Sequence, residues 1–194
     1  MLHLGMAIEI ELKAWVEEPQ ALKEVITSLA RAPASFDKED AYWYSQESRG
    51  LVPISGVRIR NERDTDPQGT IAHTTWVTYK TKEVRNRIEV NDEQEFTVSD
   101  GKTFEELLKR LGLKQGMRKH KQGWTWVYEG ITVELAHIEG LGWFVEMEIL
   151  ADDNQAATVT AARTRLLGFL HRIGIGEDKI ETRYYTEMLR SRGM

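Results

Sequence analysis

Hydrophobic and polar residues alternate one by one in several short stretches of the chain. The first stretch is 7–13, where isoleucine and leucine residues alternate with Glu9, Glu11 and Lys13. Successive side chains of a strand point to opposite faces, so this alternation predicts a strand with one apolar and one charged face. The same pattern predicts seven further strands. They span 41–45, 57–61, 74–81, 94–98, 116–128, 131–137 and 143–150.

Three stretches have helical periodicity instead. Residues 20–30 carry an apolar stripe after Pro19, and proline suits the first turn of a helix. Residues 103–111 resemble a capped helix, with Thr103 three positions before Glu106, and 154–173 is the longest candidate. Turn-forming residues occupy 64–69, 129–130 and 140–142. Many strands with local connections and few helices predict an α+β fold with a mainly antiparallel sheet.

Each charged strand face must point either into solvent or into the inside of a closed sheet. In the first arrangement the helices supply the core for the apolar faces, as in an ordinary antiparallel sheet. In the second the sheet closes around a charged tunnel, and the helices cover its apolar outer face. The pattern alone leaves both open. The charged positions are Glu9, Glu11, Lys13, Arg58, Arg60, Lys80, Lys82, Glu93, Glu95, Lys119, Lys121, Glu146 and Glu148.

The signs of these charges suggest a chemistry. Acids lie on the first, fifth and eighth strands and bases on the third, fourth and sixth. Converging carboxylates bind hard cations such as Mg²⁺ or Mn²⁺. Converging arginines and lysines bind phosphates, and arginine does so through two parallel hydrogen bonds. Together the two sets indicate a metal–polyphosphate site.

Composition limits the alternatives. The chain has 194 residues, 41% of them hydrophobic and 29% charged, which is typical of a globular protein, and we expect a single domain over 1–194. It has no cysteine, which excludes disulfides and thiolate metal sites. The net charge of −5 argues against a nucleic-acid partner. No apolar run is long enough to cross a bilayer and no secretory signal is evident, so we expect no membrane association and a cytoplasmic location.

The motifs, taken in order, resemble those of the CYTH superfamily, also called triphosphate tunnel metalloenzymes. The run Glu9-x-Glu11-x-Lys13 resembles the ExExK signature of that family, which includes class IV adenylyl cyclases, thiamine triphosphatases and inorganic triphosphatases. ExExK alone is a weak motif, but the late segment GLGxFxExE makes the resemblance specific. Further matching segments are Tyr42-Trp43-Tyr44, Arg58-x-Arg60, Tyr79-Lys80, Glu93-x-Glu95, Lys119-x-Lys121, 140–148 and Tyr185-x-Glu187 with Leu189.

The resemblance implies a closed antiparallel barrel of eight strands with helices packed outside. It implies a triphosphate in the tunnel, Mg²⁺ or Mn²⁺ as the cofactor, and in many members a homodimer. The implied metal ligands are Glu9, Glu11, Glu146, Glu148 and Glu134. The implied triphosphate-binding residues are Lys13, Arg58, Arg60, Lys80, Arg87, Lys119 and Lys121. The implied catalytic residues are Glu11, Lys13 and Glu93, with Glu95 completing the acidic side.

Three positions depart from the family pattern. Ala136 stands where members often carry an aspartate, and Glu134, on the same strand face, is the expected substitute. Asn91 stands where the fifth strand commonly begins with arginine, and Arg85 or Arg87 is expected to supply that charge. Lys121 replaces a common arginine, which keeps the charge but loses the two-pronged hydrogen bonding.

The resemblance leaves the reaction open. The first hypothesis is a class IV adenylyl cyclase-like enzyme that converts ATP to cyclic AMP and pyrophosphate. The second is a triphosphatase acting on thiamine triphosphate, tripolyphosphate or a nucleoside triphosphate. The departures at Ala136 and Asn91 motivate a third, a non-catalytic protein that binds polyphosphate or nucleotide.

Overall fold

The secondary structure consists of long antiparallel strands with helices between them. The computed structural model describes residues 7–44 and 56–193, apart from the side chains of 7, 80–83, 92 and 93. The strands are β1 (Ala7–Trp15), β2 (Ala34–Tyr44), β3 (Val57–Thr65), β4 (Ile71–Arg85), β5 (Ile88–Val98), β6 (Lys114–Tyr128), β7 (Ile131–Ile138) and β8 (Gly142–Ala151). The helices are α1 (Pro19–Leu29), α2 (Gly101–Arg110), α3 (Ala156–Arg172) and α4 (Tyr185–Ser191), with a 3₁₀ turn at Glu177–Lys179.

Each of these strands pairs with two neighbours, and all pairs are antiparallel. The order is β1-β5-β4-β3-β2-β6-β7-β8, and β8 pairs back onto β1, so the sheet forms a closed barrel. The predicted α+β class and antiparallel sheet are therefore confirmed. Within the described part of the chain, no helix combines the length and apolarity needed to cross a bilayer.

The apolar faces of the strands lie on the outside of the barrel, beneath helices. Ile10 and Leu12 of β1 belong to the largest buried cluster, together with residues of α1 and α3 such as Ile26, Leu166 and Leu170. All five are at most 1% exposed. Because β1 alternates, its Glu9, Glu11 and Lys13 must face the other way, into the barrel. Of the two arrangements considered above, the chain adopts the one in which the charged strand faces point into the barrel.

A second apolar cluster fills one end of the barrel. On β7, Ala136 and Ile138 continue the inward face of Glu134, and on β8 Phe144 continues that of Glu146. These residues pack with Phe36 of β2 and with residues of α4. The interior is therefore apolar at this end, where α4 docks, and charged farther along.

Local chemistry accounts for the helix starts and tight turns. Pro19 begins α1 as predicted. The cap of α2 is Asp100 rather than the predicted Thr103: its carboxylate accepts hydrogen bonds from the Thr103 N–H at 3.1 Å and hydroxyl at 2.7 Å. Between β4 and β5, Asn86 and Arg87 both have positive φ, the conformation of a two-residue hairpin turn.

Several boundaries differ from the prediction. β2 begins at Ala34, seven residues before the predicted start, and its predicted last residue, Ser45, lies outside the described residues. β4 and β5 extend to the hairpin turn, so each is longer than predicted. α4 was not predicted as a helix, because seven residues are too few for a clear periodicity.

Candidate functional site

The inward faces of the barrel enclose a cavity of about 300 Å³. Strand residues line its walls, and residues of α4 and the segment before it line the rest. Because the wall side chains come from strands that are hydrogen-bonded on both sides, their backbone positions are fixed by the barrel. Of the predicted site residues, the cavity brings together Glu9, Glu11, Lys13, Arg58, Arg60, Lys119, Lys121, Glu134, Glu146 and Glu148.

The cavity is divided by charge. Carboxylates come from β5, β1, β8 and β7, which are consecutive in the barrel, and most bases come from β3, β2 and β6, which are also consecutive. We call these the acidic wall and the basic wall. Each contains one buried counter-charge: Lys13 in the acidic wall and Asp40 in the basic wall. The acidic and basic strands predicted from the sequence therefore lie on different sides of the cavity.

Asp40 holds the basic wall together. Its carboxylate accepts hydrogen bonds from Arg60 Nε at 2.7 Å and Nη2 at 3.0 Å, and Lys119 Nζ lies 3.0 Å from Oδ2. Asp40 is only 1% exposed. Burial alone would raise its pKa, but the charges of Arg60 and Lys119 outweigh burial and hold that pKa well below its ordinary value. The group is therefore ionised, and it fixes where both cations point.

Lys121 joins the two walls. Its Nζ lies 2.6 Å from Glu134 Oε2 and 2.7 Å from Glu146 Oε2. Glu134 also accepts a 2.7 Å hydrogen bond from Lys38, and Glu146 accepts one of 2.7 Å from the Tyr185 hydroxyl. Although burial opposes ionisation, the lysines keep the pKa values of Glu134 and Glu146 below normal, and the carboxylates raise that of Lys121. Lys121, Glu134 and Glu146 are therefore charged at neutral pH, whereas burial and Glu146 raise the pKa of Tyr185 and keep its hydroxyl neutral.

Lys13 is held within the acidic wall. Its ammonium group hydrogen-bonds to Glu89 and lies 5.5 Å from the ring centre of Tyr185. Burial lowers the pKa of a lysine, but Glu89 and Glu11 together raise that of Lys13 above its ordinary value. In the strand register Glu11 lies opposite Glu89 on β5 and opposite Glu148 on β8, so three carboxylates cross the wall in one row.

The other basic residue of β3 that lines the cavity, Arg58, belongs to a smaller network. Arg58 Nη2 donates to the Thr78 hydroxyl at 2.9 Å, and that hydroxyl donates to Glu95 at 2.7 Å. Arg58 also lies 3.4 Å from Glu95. The network connects β3, β4 and β5 near the boundary between the two walls.

Some predicted residues lie elsewhere. Arg87 does not line the cavity: it sits in the β4–β5 turn, and its guanidinium donates to the Glu177 carbonyl at 2.9 Å and the Ile180 carbonyl at 3.2 Å. Arg85 likewise donates outward, to the Asn154 carbonyl at 2.9 Å. Neither is among the residues that line the cavity, so the structure gives no support to the expectation that one of them supplies the charge missing at Asn91. The reason is that both belong to the hairpin end of β4 and β5, beyond the cavity. Lys80 and Glu93 fall among the side chains that are not described.

Several residues of the cavity and of the wall behind it were not predicted from the sequence. Lys38 and Asp40 lie in a run of charged residues that resembles a solvated loop, and the first half of β2 lacks the apolar alternation that marks a strand. Glu89 lies before the predicted start of the fifth strand. The signal that could have found it is its spacing: Glu89 and Glu95 have the same parity, so they share a face of one longer strand.

The cavity offers a metal ion oxygen ligands. Among the described residues no group of three His, Asp or Glu side chains could hold a metal ion in the positions that the side chains now have. The row of Glu89, Glu11 and Glu148 nevertheless places carboxylates from three adjacent strands side by side, with Glu9 on the same face of β1. Such a donor set suits Mg²⁺ or Mn²⁺ rather than a softer metal.

The CYTH domain pattern matches residues 7–185. The chain belongs to the CYTH domain family. A candidate adenylate cyclase of Methanocaldococcus jannaschii is 25% identical over 186 residues, which cover 93% of this chain and 98% of that protein. The matched range includes both the early ExExK run and the late GLGxFxExE segment of this chain.

Solved CYTH-like structures share its fold. A protein from Pyrococcus horikoshii OT3 is 26% identical with a TM-score of 0.78, and the match covers 95% of this chain and 99% of that one. A candidate adenylyl cyclase from Hippeastrum, described as having a dominant triphosphatase activity, is 15% identical with a TM-score of 0.65 and 96% coverage of both chains. The latter likeness concerns the fold alone.

Proposed function

We propose that this protein is a metal-dependent enzyme that binds a triphosphate between the acidic and basic walls. The reaction that we favour is the conversion of ATP to cyclic AMP and pyrophosphate. The observation that carries the proposal is the charge division itself, because a metal-bound polyphosphate needs cationic side chains on one side and oxygen ligands on the other. Membership of the CYTH family supports the same conclusion.

The basic wall would hold the phosphates. Arg60 and Lys119 are oriented by Asp40, and Arg58 lies beside them on β3. One buried carboxylate between two cations leaves a net charge of +1, which a phosphate oxygen can neutralise. Fixed cations stabilise the charge that develops on the leaving phosphates without having to reorganise during the reaction. Lys13 is held by carboxylates in the acidic wall and would approach the phosphates from the opposite side. Lys121 would contact them from its position between the two walls.

The acidic wall would hold the metal. We assign Glu9, Glu11 and Glu148 as its ligands, and we assign Glu134 and Glu146 mainly to the orientation of Lys38 and Lys121. A bound Mg²⁺ or Mn²⁺ would neutralise phosphate charge and fix the substrate. Of the carboxylates expected in catalysis, Glu11 stands in the centre of the row and would orient the attacking oxygen.

In a cyclase the attacking oxygen is the ribose 3′-hydroxyl, so the organic part of the substrate must also be held. Tyr42, Tyr44 and Tyr184 line the cavity and offer aromatic surface beside the charged walls. The name of the Methanocaldococcus relative, which matches along nearly its whole length, supports this reaction. Hydrolysis is the second candidate, since the Hippeastrum protein of the same fold is described as mainly a triphosphatase. In that case water replaces the hydroxyl.

Product identification tests the proposal. The purified protein is incubated with ATP, thiamine triphosphate or tripolyphosphate in the presence of Mg²⁺ or Mn²⁺. Cyclic AMP with pyrophosphate is the expected result. Orthophosphate would establish the triphosphatase instead, and binding without turnover would contradict the proposal that the protein is an enzyme.

Glu11→Gln should lower turnover at least about 100-fold, as loss of a transition-state interaction does. The matched control is Glu24→Gln on the exposed side of α1.

A further inference from the structure

Asn91 is a buried polar residue whose environment in the protein is incomplete. It lies on β5 and is 0% exposed. Neither its Oδ1 nor its Nδ2 has a hydrogen-bond partner among the described residues. Buried amide groups are nearly always hydrogen-bonded, so an unpaired one in a native protein calls for a missing water, ion or ligand. A ligand that binds to this amide only while the protein functions would explain why the free-energy cost of burying it without hydrogen bonds is tolerated.

The strand register places Asn91 in the acidic wall. It is two residues after Glu89 and four before Glu95, and both of these face the cavity, so Asn91 is on the inward side of β5. On the neighbouring strand β1 it lies directly opposite Glu9. Its outward-facing neighbour Val90 belongs to the apolar cluster under the helices. The amide therefore extends toward the carboxylates and away from the outer core.

The surroundings select the kind of ligand. The charged residues nearest to Asn91 in the register are three glutamates, Glu9, Glu11 and Glu89, and one lysine, Lys82, which lies opposite it on β4. The arginines lie on β3, two strands away. An acidic environment repels a phosphate and attracts a cation. An asparagine carbonyl oxygen is a usual ligand for Mg²⁺-like and Ca²⁺-like cations, and it adds a ligand without adding negative charge. Residues paired across two strands have Cβ atoms about 4.5–5.5 Å apart, so one cation can contact both side chains.

We infer that Asn91 Oδ1 is a neutral ligand of the divalent cation bound by Glu9 in the acidic wall. Its Nδ2 then donates to an oxygen of the hydrated cation's shell, and both unpaired atoms acquire partners. The inference rests on the proposed metal dependence. It goes further in one respect: at position 91, where members of the family commonly have an arginine, this chain has an asparagine that binds the cation. If Asn91 binds the cation, the positive charge of the common arginine is not needed at this position, and neither Arg85 nor Arg87 has to supply it.

The test measures Mn²⁺ binding by the protein without substrate. Calorimetry and Mn²⁺ electron paramagnetic resonance give the Kd for the original protein and for Asn91→Leu, which has a similar volume and no polar atoms. We expect the Kd to rise at least tenfold in Asn91→Leu, as it does when a ligand or its support is lost. The Tm of the metal-free variant should stay equal or rise, because an unpaired buried amide has been removed. Gln94→Leu, on the outward face of β5, is the matched control and should change neither value.

A second variant separates a folding defect from lost binding. Asn91→Asp keeps an oxygen at the same place, so its Mn²⁺ affinity should equal or exceed that of the original protein. If Asn91→Leu binds Mn²⁺ normally while the original protein also binds it, the inference fails and the proposed function stands. If Asn91→Leu loses Tm without losing affinity, Asn91 has only a structural partner and the inference again fails. If the original protein binds no Mn²⁺ with or without tripolyphosphate, both the inference and the proposed metal dependence fail.

Discussion

Asp40 shows how one buried residue determines the geometry of several others. Its two oxygens contact Arg60 and Lys119, which come from different strands on either side of β2. Without it, two buried cations would face each other with no charge between them. Arg60 and Lys119 could be predicted from their spacing along the chain. Asp40 could not, because only the folded sheet reveals that its run of charges points inward.

Asp40→Asn tests this role. The variant leaves Arg60 and Lys119 buried without their counter-charge, and breaking a buried pair costs about 3–5 kcal/mol. We expect urea unfolding to show a loss of that size. Saturating tripolyphosphate should restore more stability to the variant than it adds to the original protein, because the anion supplies the missing negative charge.

The control for Asp40→Asn is Glu39→Gln, which changes an exposed carboxylate on the opposite face of the same strand. Its stability should stay within about 0.5 kcal/mol of the original. A loss below about 1 kcal/mol in Asp40→Asn would contradict the assigned role.

At the level of elements, the alternation predicted the faces of the strands but could not predict their order in the barrel. The period of two assigns Glu9 and Glu11 to one face. Nothing local indicates that β1 lies between β5 and β8, since those pairings join residues far apart in the chain. The family resemblance supplied the expectation of closure, and the pairing order then produced the acidic wall. α4 was missed for a different reason, because tertiary contacts rather than periodicity hold it in place.

The docking of α4 depends on contacts of its first residue. The Tyr185 ring packs edge-to-face against Phe144 with centroids 4.9 Å apart, and its hydroxyl donates to Glu146 at 2.7 Å. Burial and the nearby Glu146 raise the Tyr185 pKa well above its ordinary value, so the hydroxyl remains a donor over the whole working pH range.

Tyr185→Phe removes only the hydroxyl. A hydrogen bond to a charged group contributes about 1.5–3 kcal/mol, so we expect the free energy of unfolding to fall by that amount. Amide hydrogen exchange in α4 should accelerate, while exchange in β1 should not. Tyr79→Phe, at an exposed position of β4, is the control and should have little effect. Unchanged exchange in α4 of Tyr185→Phe would show that the hydroxyl does not anchor this helix.

In the whole molecule, the apolar residues that stabilise the fold and the charged residues of the candidate site lie on opposite faces of the sheet. The largest apolar cluster lies between the barrel and the helices α1 and α3, whereas the ionised groups lie inside. An apolar shell on the outside of the sheet allows a charged interior, because the strands do not need an apolar centre to remain folded. The protein therefore concentrates buried ion pairs in one place, and those pairs make its stability depend on pH.

Acid should destabilise the protein in a predictable window. The pKa values of Asp40, Glu134 and Glu146 are lowered in the folded state, despite burial, by neighbouring lysines and Arg60. The unfolded chain, with carboxyl pKa values of about 4, therefore binds more protons than the folded one as the pH falls below about 5, so stability must fall with it. A carboxylate depressed by two units contributes about 2.6 kcal/mol. We expect urea unfolding to show a loss of at least about 3 kcal/mol between pH 7 and pH 3.

Lys121→Met identifies the source of this acid sensitivity. The substitution removes the cation that contacts both Glu134 and Glu146, so the pKa values of these carboxyls should rise and one of them should bind a proton near neutral pH. Acidification should then cost less stability in Lys121→Met, because a carboxyl that is already protonated in the folded protein no longer binds fewer protons than it does in the unfolded chain. Lys109→Met, at an exposed position of α2, is the matched control and should leave the profile unchanged. A flat stability profile between pH 7 and pH 3 in the original protein would mean that the interior charges do not contribute to folding as the geometry requires.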